Sequence, residues 1–328
     1  MKILFYSSQS YDKESFGLAN KDYDYEIEYL DAHLSPKTAL LANGYDVVCV
    51  FVNDDLSAET IKSLCENGVK LVALRCAGYN NVDLKAAKEC GLEVVRVPEY
   101  SPYAVAEHAC ALALTLNRKT HKAYNRTRES NFKIAGLKGF DMHGKTVGII
   151  GCGKIGEIAA RIFNGFGMKV LVSDPTYKAE LDFIKLVDLE ELLRDSDLIS
   201  LHCPLNQDTK HLINAETIKT MKDGVMLINT SRGALIDTKA VIDGLKSQKI
   251  GYLGIDVYEE EADLFFEDHT ESILTDDVLA RLLSFPNVLV TGHQAFFTNE
   301  AVSEIAKVTL ENIKAFSESK TLENAVIA

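Results

Sequence analysis

The sequence is poor in positive charge: 35 Lys and Arg stand against 48 Asp and Glu, leaving a formal charge of −13. Binding along a phosphate backbone draws its affinity from a basic face, so no nucleic-acid partner is expected. Long apolar runs are missing too. No stretch approaches the ~20 apolar residues of a membrane span, and Met1-Lys2-Ile3-Leu4-Phe5-Tyr6 is too short an apolar run to read as a secretory segment. No membrane partner is expected, and the expected location is cytoplasmic. The seven cysteines (Cys49, Cys65, Cys76, Cys90, Cys110, Cys152 and Cys203) are an odd number without a CxxC pair, and most sit in apolar runs such as Val47-Val48-Cys49-Val50. They are expected to be reduced core residues. No set of His and Cys has metal-ligand spacing, so no metal is expected. Ser231 lacks the nucleophile elbow of a hydrolase, and no internal repeat, low-complexity tract or long linker interrupts the chain.

What is present is an ordinary globular composition, 47% hydrophobic over 328 residues, which suits two domains with real cores. Short β-branched runs alternate with amphipathic stretches in the first hundred residues, with strand candidates at Lys2–Tyr6, Glu26–Leu30, Val47–Val52, Lys70–Leu74 and Glu93–Val97. Such a βα alternation predicts a parallel sheet. Ser101-Pro102 reads as an N-cap with proline at the first helical position, leading into an apolar helix, Ala104–Leu116, that should be buried between layers or subunits. Beyond a polar, basic stretch (Asn117–Lys138) lies a second βα series: Thr146–Ile150, Lys169–Ser173, Leu198–Leu201, Val225–Asn229, Tyr252–Ile255 and Asn287–Val290. Six strands is the count of a full dinucleotide fold. Glu300–Phe316 has helical spacing and reads as a docking element.

Thr146–Ile150 runs directly into Gly151-Cys152-Gly153-Lys154-Ile155-Gly156 and then into the helix-periodic Glu157–Phe166. In this strand–GxGxxG–helix order the first glycine permits the tight turn, the second lets a pyrophosphate approach the backbone, and the third lets helix and strand pack closely. The next strand candidate ends at Asp174, 18 residues past the third glycine, where a carboxylate can accept hydrogen bonds from a ribose diol and repel a 2′-phosphate. The expected cofactor is NAD, favoured over NADP.

Ligands of open parallel sheets bind beyond the carboxyl ends of the strands. In the second series those ends carry His202-Cys203-Pro204, Thr230-Ser231-Arg232-Gly233, Asp256 through Glu261, and Thr291-Gly292-His293-Gln294. A nicotinamide brings hydride but neither a proton nor a clamp for an anionic substrate. Arg232 suits a carboxylate, held through two parallel hydrogen bonds. His293 suits the general acid, given a carboxylate that fixes its tautomer. Spacing does not rank Glu259, Glu260 and Glu261 for that task. His108, inside the apolar helix, reads as a satisfied core histidine, and His202 as a lining residue on the adenosine side of the crevice.

These segments, with Arg75-Cys76-Ala77-Gly78-Tyr79-Asn80-Asn81-Val82-Asp83, Asp263-Leu264-Phe265-Phe266-Glu267-Asp268 and Gly292-His293-Gln294-Ala295-Phe296, make the chain resemble the D-isomer-specific 2-hydroxyacid dehydrogenases over nearly its whole length. The Asp263–Asp268 segment is similar to that of the bacterial fermentative D-lactate dehydrogenases. Position by position, the resemblance implies Arg232 as carboxylate clamp, Glu261 as the histidine partner and His293 as proton donor. It implies that the Ala77 and Gly78 backbone receives the substrate carboxylate, with Tyr100 and Phe296 walling the pocket. Gly151, Gly153, Lys154, Ile155, Gly156, Asp174, Cys203, Pro204, Thr230, Ser231, Arg232 and Asp256 match the family's cofactor contacts. Cys152 stands where relatives often have a small residue; it is expected to be tolerated there and leaves a local redox sensitivity open.

The fold so implied is α/β: two Rossmann-like or flavodoxin-like doubly wound parallel-sheet domains with an active-site cleft between them. Residues 1–100 plus 299–328 would form the substrate domain and 101–298 the NAD-binding domain, closing to exclude water. The implied reaction is reversible reduction of pyruvate to D-lactate by NADH, in a homo-oligomer, dimer or tetramer. The alternatives are a reductase of another 2-keto acid (2-ketobutyrate, phenylpyruvate, hydroxypyruvate or glyoxylate) or an NAD-sensing, corepressor-like binding protein on the same fold. No residues remain for the C-terminal regulatory domain often found in phosphoglycerate-type relatives.

Overall fold

Aliphatic runs without alternation suit strands covered by helices on both faces, and the central strands here are of that kind. In the computed structural model, which describes residues 1–178, 181–261, 264–266 and 268–327, the chain divides into two units: Met1–Ser101 with Phe297–Ala328, and Pro102–Phe296.

The first unit carries β1 (Lys2–Phe5), β2 (Glu26–Tyr29), β3 (Val47–Val50), β4 (Leu71–Leu74) and β5 (Glu93–Val95), all parallel, in the order β2-β1-β3-β4-β5. Central β3 and β4 are buried at every residue, whereas edge β2 alternates exposed and half-buried positions. The first three strands stop a residue or two short of the expected ends because the chain turns there. Ser7, two residues after β1, already has a left-handed φ of 53°. The helices of this stretch are α1 (Ser10–Ala19), α2 (Ala58–Glu66) and α3 (Leu84–Cys90).

Two cysteines depart from expectation. Cys65 on α2 and Cys90 at the end of α3 form a disulfide, with their Cα atoms 6.5 Å apart. They lie on the surfaces of two helices packed side by side, Cys90 exposed, rather than inside an apolar strand. Cys49, Cys76, Cys110, Cys152 and Cys203 form no disulfide among the described residues and are buried, as the apolar runs around them require.

The second unit carries α4 (Pro102–Arg118), α5 (Thr120–Arg128), β6 (Thr146–Ile150), α6 (Lys154–Gly165), β7 (Lys169–Ser173), β8 (Ile184–Leu186), α7 (Leu189–Asp195), β9 (Leu198–Leu201), α8 (Ala215–Thr220), β10 (Val225–Asn229), α9 (Thr238–Lys246), β11 (Ile250–Ile255), α10 (Asp277–Leu283) and β12 (Val288–Val290). Its parallel sheet runs β12-β11-β10-β9-β6-β7-β8. The strand order reverses beside β6, which places the crevice for a ligand at that strand's C-terminal end. The seventh strand, β8, was not expected: it is three residues long with two of them exposed, too short to show a period. Nor was α5, which buries none of its residues and so presents no apolar face in the sequence. Helix α4 packs on α6 and beneath β10 and β11, burying Ala106, Ala109, Leu112, Ala113 and Leu116.

The last helix, α11 (Asn299–Ser317), returns to the first unit. Its N-cap Thr298 accepts the Ala301 N–H, and Ala301, Ile305, Leu310 and Ile313 face α1 and β4. No helix among the described residues is long and apolar enough to cross a membrane.

Candidate active site

Only Gly151, Cys152 and Gly153 separate β6 from α6. Gly151 has φ +85°, and a Cβ there would lie 2.5 Å from the Cys203 backbone nitrogen, so glycine is required. At Gly156 a Cβ would lie 2.1 Å from the Gly151 carbonyl oxygen, so its absence lets the helix rest on the turn. Gly153 is different: its φ is −70° and no atom of the described residues lies within 4 Å of a Cβ built on it. Glycine there relieves no protein contact and instead keeps open the space before the α6 N-terminus, whose N–H groups favour an anion. That is the shape a dinucleotide pyrophosphate needs.

Asp174, just beyond β7, accepts the Cys152 N–H at 2.7 Å and, on its other oxygen, the Thr176 N–H and hydroxyl, both at 2.7 Å. Burial opposes its charge, but the N–H groups of Cys152, Thr176 and Tyr177 with the Thr176 hydroxyl outweigh it, holding the carboxyl below its usual range. A carboxylate thus stands by the loop. The Cys152 thiol is buried, and burial pushes it up to about 12. It stays protonated at neutral pH, whereas the reactive form of a thiol is the thiolate. Lys154 and Ile155 form the first turn of α6, Cys203 and Pro204 follow β9, and Thr230 and Ser231 follow β10, all at the same edge of the sheet. The Ser231 hydroxyl donates to the Cys203 carbonyl at 2.7 Å.

Strands β10, β11 and β12 are neighbours, so residues beyond their ends meet along one edge at about 5 Å per strand. Arg232 follows β10 in a turn that Asn229 holds, its side chain accepting the Ser231 N–H at 3.0 Å and donating to the Arg232 carbonyl at 2.8 Å. Gly233 completes the turn where a Cβ would lie 2.1 Å from the Tyr258 carbonyl carbon. The Arg232 guanidinium is half-buried and donates to the Ser231 carbonyl at 2.7 Å.

Beyond β11 the three glutamates part company. Glu259 faces His211 at 2.6 Å and accepts the Thr238 hydroxyl at 3.2 Å, and Glu260 is exposed. Glu261 faces His293 Nδ1 at 2.9 Å, and its second oxygen accepts the Tyr258 N–H at 2.8 Å. The His293 and Glu261 side chains are 21% and 23% exposed, and the Phe266 ring lies 5.6 Å from the imidazole. With Nδ1–H donated to the carboxylate, Nε2 is the nitrogen left to meet a substrate. Asp263 and Glu267, which help carry the resemblance, lie outside the described residues.

His293 sits in left-handed backbone, φ 52°, on a loop organised by Asp256. The Asp256 carbonyl accepts the His293 N–H at 2.7 Å, and its fully buried carboxylate accepts from the Thr291 hydroxyl, Gln294 N–H and Ala295 N–H at 2.5, 2.9 and 2.8 Å. His108 joins this cluster from α4, a satisfied histidine as expected, with Thr291 and Asp256 as its partners. Spacing gave no sign of it, because its partners are separated from it by most of the unit.

In the first unit, Ala77 and Gly78 follow β4 with N–H groups that donate to no acceptor among the described residues, while the Ala77 carbonyl is held by Arg96 at 2.8 Å. Arg75 anchors the segment: it is 2% exposed, donates to the Ser7 carbonyl at 2.7 Å and lies 3.5 Å from Asp12. Tyr100 in this unit is half-buried, and Phe296 at the end of the other is buried.

The family model of the D-isomer specific 2-hydroxyacid dehydrogenase NAD binding domain matches residues 110–295. A 2-hydroxyacid dehydrogenase homolog of Haemophilus influenzae is 53% identical, covering 100% of this chain and 99% of the relative. The D-lactate dehydrogenase of Escherichia coli is 52% identical, with 100% of both chains covered. The solved structure of the pyruvate reductase of Chlamydomonas reinhardtii superposes with a TM-score of 0.95 at 46% identity, covering 99% of this chain and 98% of the other. With a glycine loop shaped for a dinucleotide and a paired histidine and glutamate on the same sheet edge, the chain belongs to the D-isomer specific 2-hydroxyacid dehydrogenases.

Proposed function

We propose that the protein reduces pyruvate to D-lactate with NADH and catalyses the reverse oxidation. The observation that carries this reading is the 2.9 Å pair of His293 and Glu261, in a chain whose full-length relatives include a D-lactate dehydrogenase. His293 delivers a proton from Nε2 to the carbonyl oxygen of the substrate, and Glu261 stabilises the imidazolium before transfer. Arg232 holds the substrate carboxylate and polarises the carbonyl. In the first unit, the unengaged N–H groups of Ala77 and Gly78 suit a carboxylate, with Tyr100 and Phe296 proposed beside the substrate side chain. NAD supplies or accepts the hydride when bound. Gly151, Gly153, Lys154, Ile155 and Gly156 would hold its pyrophosphate, Asp174 its ribose, and Cys203, Pro204, Thr230, Ser231, Arg232 and Asp256 the remainder. The charge on Asp174 supports NAD over NADP, since it repels a 2′-phosphate. We place the enzyme in the cytoplasm as a homo-oligomer, supported by the exposure of Tyr103, Tyr124, Phe132 and Ile134 at 60–84%.

The test is NADH consumption by the purified protein across pyruvate, 2-ketobutyrate, phenylpyruvate, hydroxypyruvate and glyoxylate, with the handedness of the product determined. Pyruvate is expected to be preferred and D-lactate to form. Preference for a bulkier acid moves the assignment within the family, and NADH binding without turnover on any acid overturns the catalytic reading.

A further inference from the structure

We infer that His108 is a positioning residue for catalysis, setting the backbone of His293 through Thr291 and Asp256. The inference rests on the reading of His293 as the proton donor.

The geometry fixes the direction of each hydrogen bond. An ionised carboxylate only accepts, so the 2.5 Å contact between Thr291 Oγ1 and Asp256 Oδ1 takes the single hydroxyl proton of Thr291. The 3.1 Å contact between His108 Nε2 and Thr291 Oγ1 is then a hydrogen bond only if Nε2 carries the hydrogen. The same Nε2–H lies 3.4 Å from Asp256 Oδ1. His108 therefore donates into the pair, one side chain on α4 tying the ends of β11 and β12 to the helix beneath them. The side chain of Asp256 is fully buried and that of His108 only 18% exposed, so the arrangement sits where such bonds are strong and their loss is costly.

What Asp256 holds is the segment that bears the acid. Its carbonyl takes the His293 N–H, and its two carboxylate oxygens take the next two, at Gln294 and Ala295. A non-glycine residue at φ 52° persists only where its surroundings determine it. Three consecutive N–H groups directed at one aspartate do so here. If the carboxylate turns, the loop relaxes and the Nδ1 contact with Glu261 goes with it. His108 and Thr291 keep it from turning.

Two pairs of variants test this. His108→Leu removes the donor, and His108→Gln returns an N–H at the same reach. Thr291→Val breaks the relay, and Thr291→Ser restores it. Hydrogen exchange of the Gln294 and Ala295 amides, followed in the protein without cofactor, is expected to quicken by about tenfold or more in His108→Leu and Thr291→Val. Exchange elsewhere in the second unit should not change. With the 2-keto acid that the wild type turns over fastest, kcat should fall by about tenfold while KM for the acid moves far less. His108→Gln and Thr291→Ser should recover both properties. Unchanged exchange in both disruptive variants overturns the inference, as does faster exchange with kcat intact. Should His108→Leu fail to fold, the Thr291 pair decides alone. If the wild type turns over no acid, the proposed function has failed, and the exchange data still decide whether His108 holds the loop.

Discussion

Glu259 and Glu261, two positions apart, end on different histidines, and this divides their chemistry. Glu261→Gln keeps the shape beside His293 but removes the charge that stabilises its imidazolium, so kcat should fall by roughly 10²–10⁴-fold, as it should for His293→Ala. Glu259→Gln touches the His211 pair and the Thr238 hydroxyl but not His293, and should leave kcat within a factor of about two. NADH titration by fluorescence, unchanged in all three variants, separates chemistry from cofactor binding. Equal losses in Glu259→Gln and Glu261→Gln would sink the assignment. The cysteines divide in a similar way. Burial holds the thiols of Cys110 and Cys203 up to about 11 and those of Cys49 and Cys152 up to about 12, and the reactive form is the thiolate. Iodoacetamide at mildly alkaline pH should label none of the four in the folded protein. After unfolding, adding a reductant should raise the number of labelled cysteines by two, Cys65 and Cys90, as read by intact mass.

Among the elements, the β6–α6 junction separates a glycine kept for the ligand from one kept for the fold. Gly153→Ala meets no atom of the described residues, so the thermal midpoint should hold while NADH affinity falls by about tenfold or more. Gly156→Ala meets the Gly151 carbonyl and should lower the midpoint itself. Calorimetry beside an NADH titration reads both, and a Gly153→Ala protein that binds NADH normally would remove the pyrophosphate from this loop. Behind the loop, His202 shares a hydrogen bond between Nε2 and Ser200 at 2.9 Å, while its buried Nδ1 has no partner among the described residues. Burial pulls its pKa from 6.5 down to about 4. The folded protein thus binds fewer protons than the unfolded one in that window, so the stability His202 contributes is complete above about pH 6.5 and is lost as pH falls toward 4. The midpoint should fall more steeply with acidification in the wild type than in His202→Gln, and parallel curves would contradict it. Strands β6, β7, β9 and β10 were legible to the residue because continuous aliphatic runs have one solution in a covered parallel sheet. Strand β8 and helix α5 bury too little to leave a period, and the choice among three adjacent glutamates depends on how the chain turns after β11. The Cys65–Cys90 pair was missed because it is made by two helices lying side by side, which no local pattern encodes.

For the whole molecule, four large apolar side chains in Pro102–Ile134 face solvent: Tyr103, Tyr124, Phe132 and Ile134. If they are covered by a second copy, light scattering should give about twice the protomer mass or a higher multiple, and charging the patch with Phe132→Glu and Ile134→Glu should reduce it toward one. A monomeric wild type would refute the oligomer. The chain's route through its two units bears on how it is made. The first unit is left at Ser101 and rejoined only at Phe297, yet α11, whose Ala301, Ile305, Leu310 and Ile313 are at most 5% exposed, is what covers α1 and β4. At about 5–20 residues per second, a ribosome needs on the order of 10–40 s to pass from one stretch to the other. Throughout that interval α1 and β4 wait without the helix that covers them, so a premature stop anywhere before α11 would strand the first unit unfinished, however complete the unit translated in between.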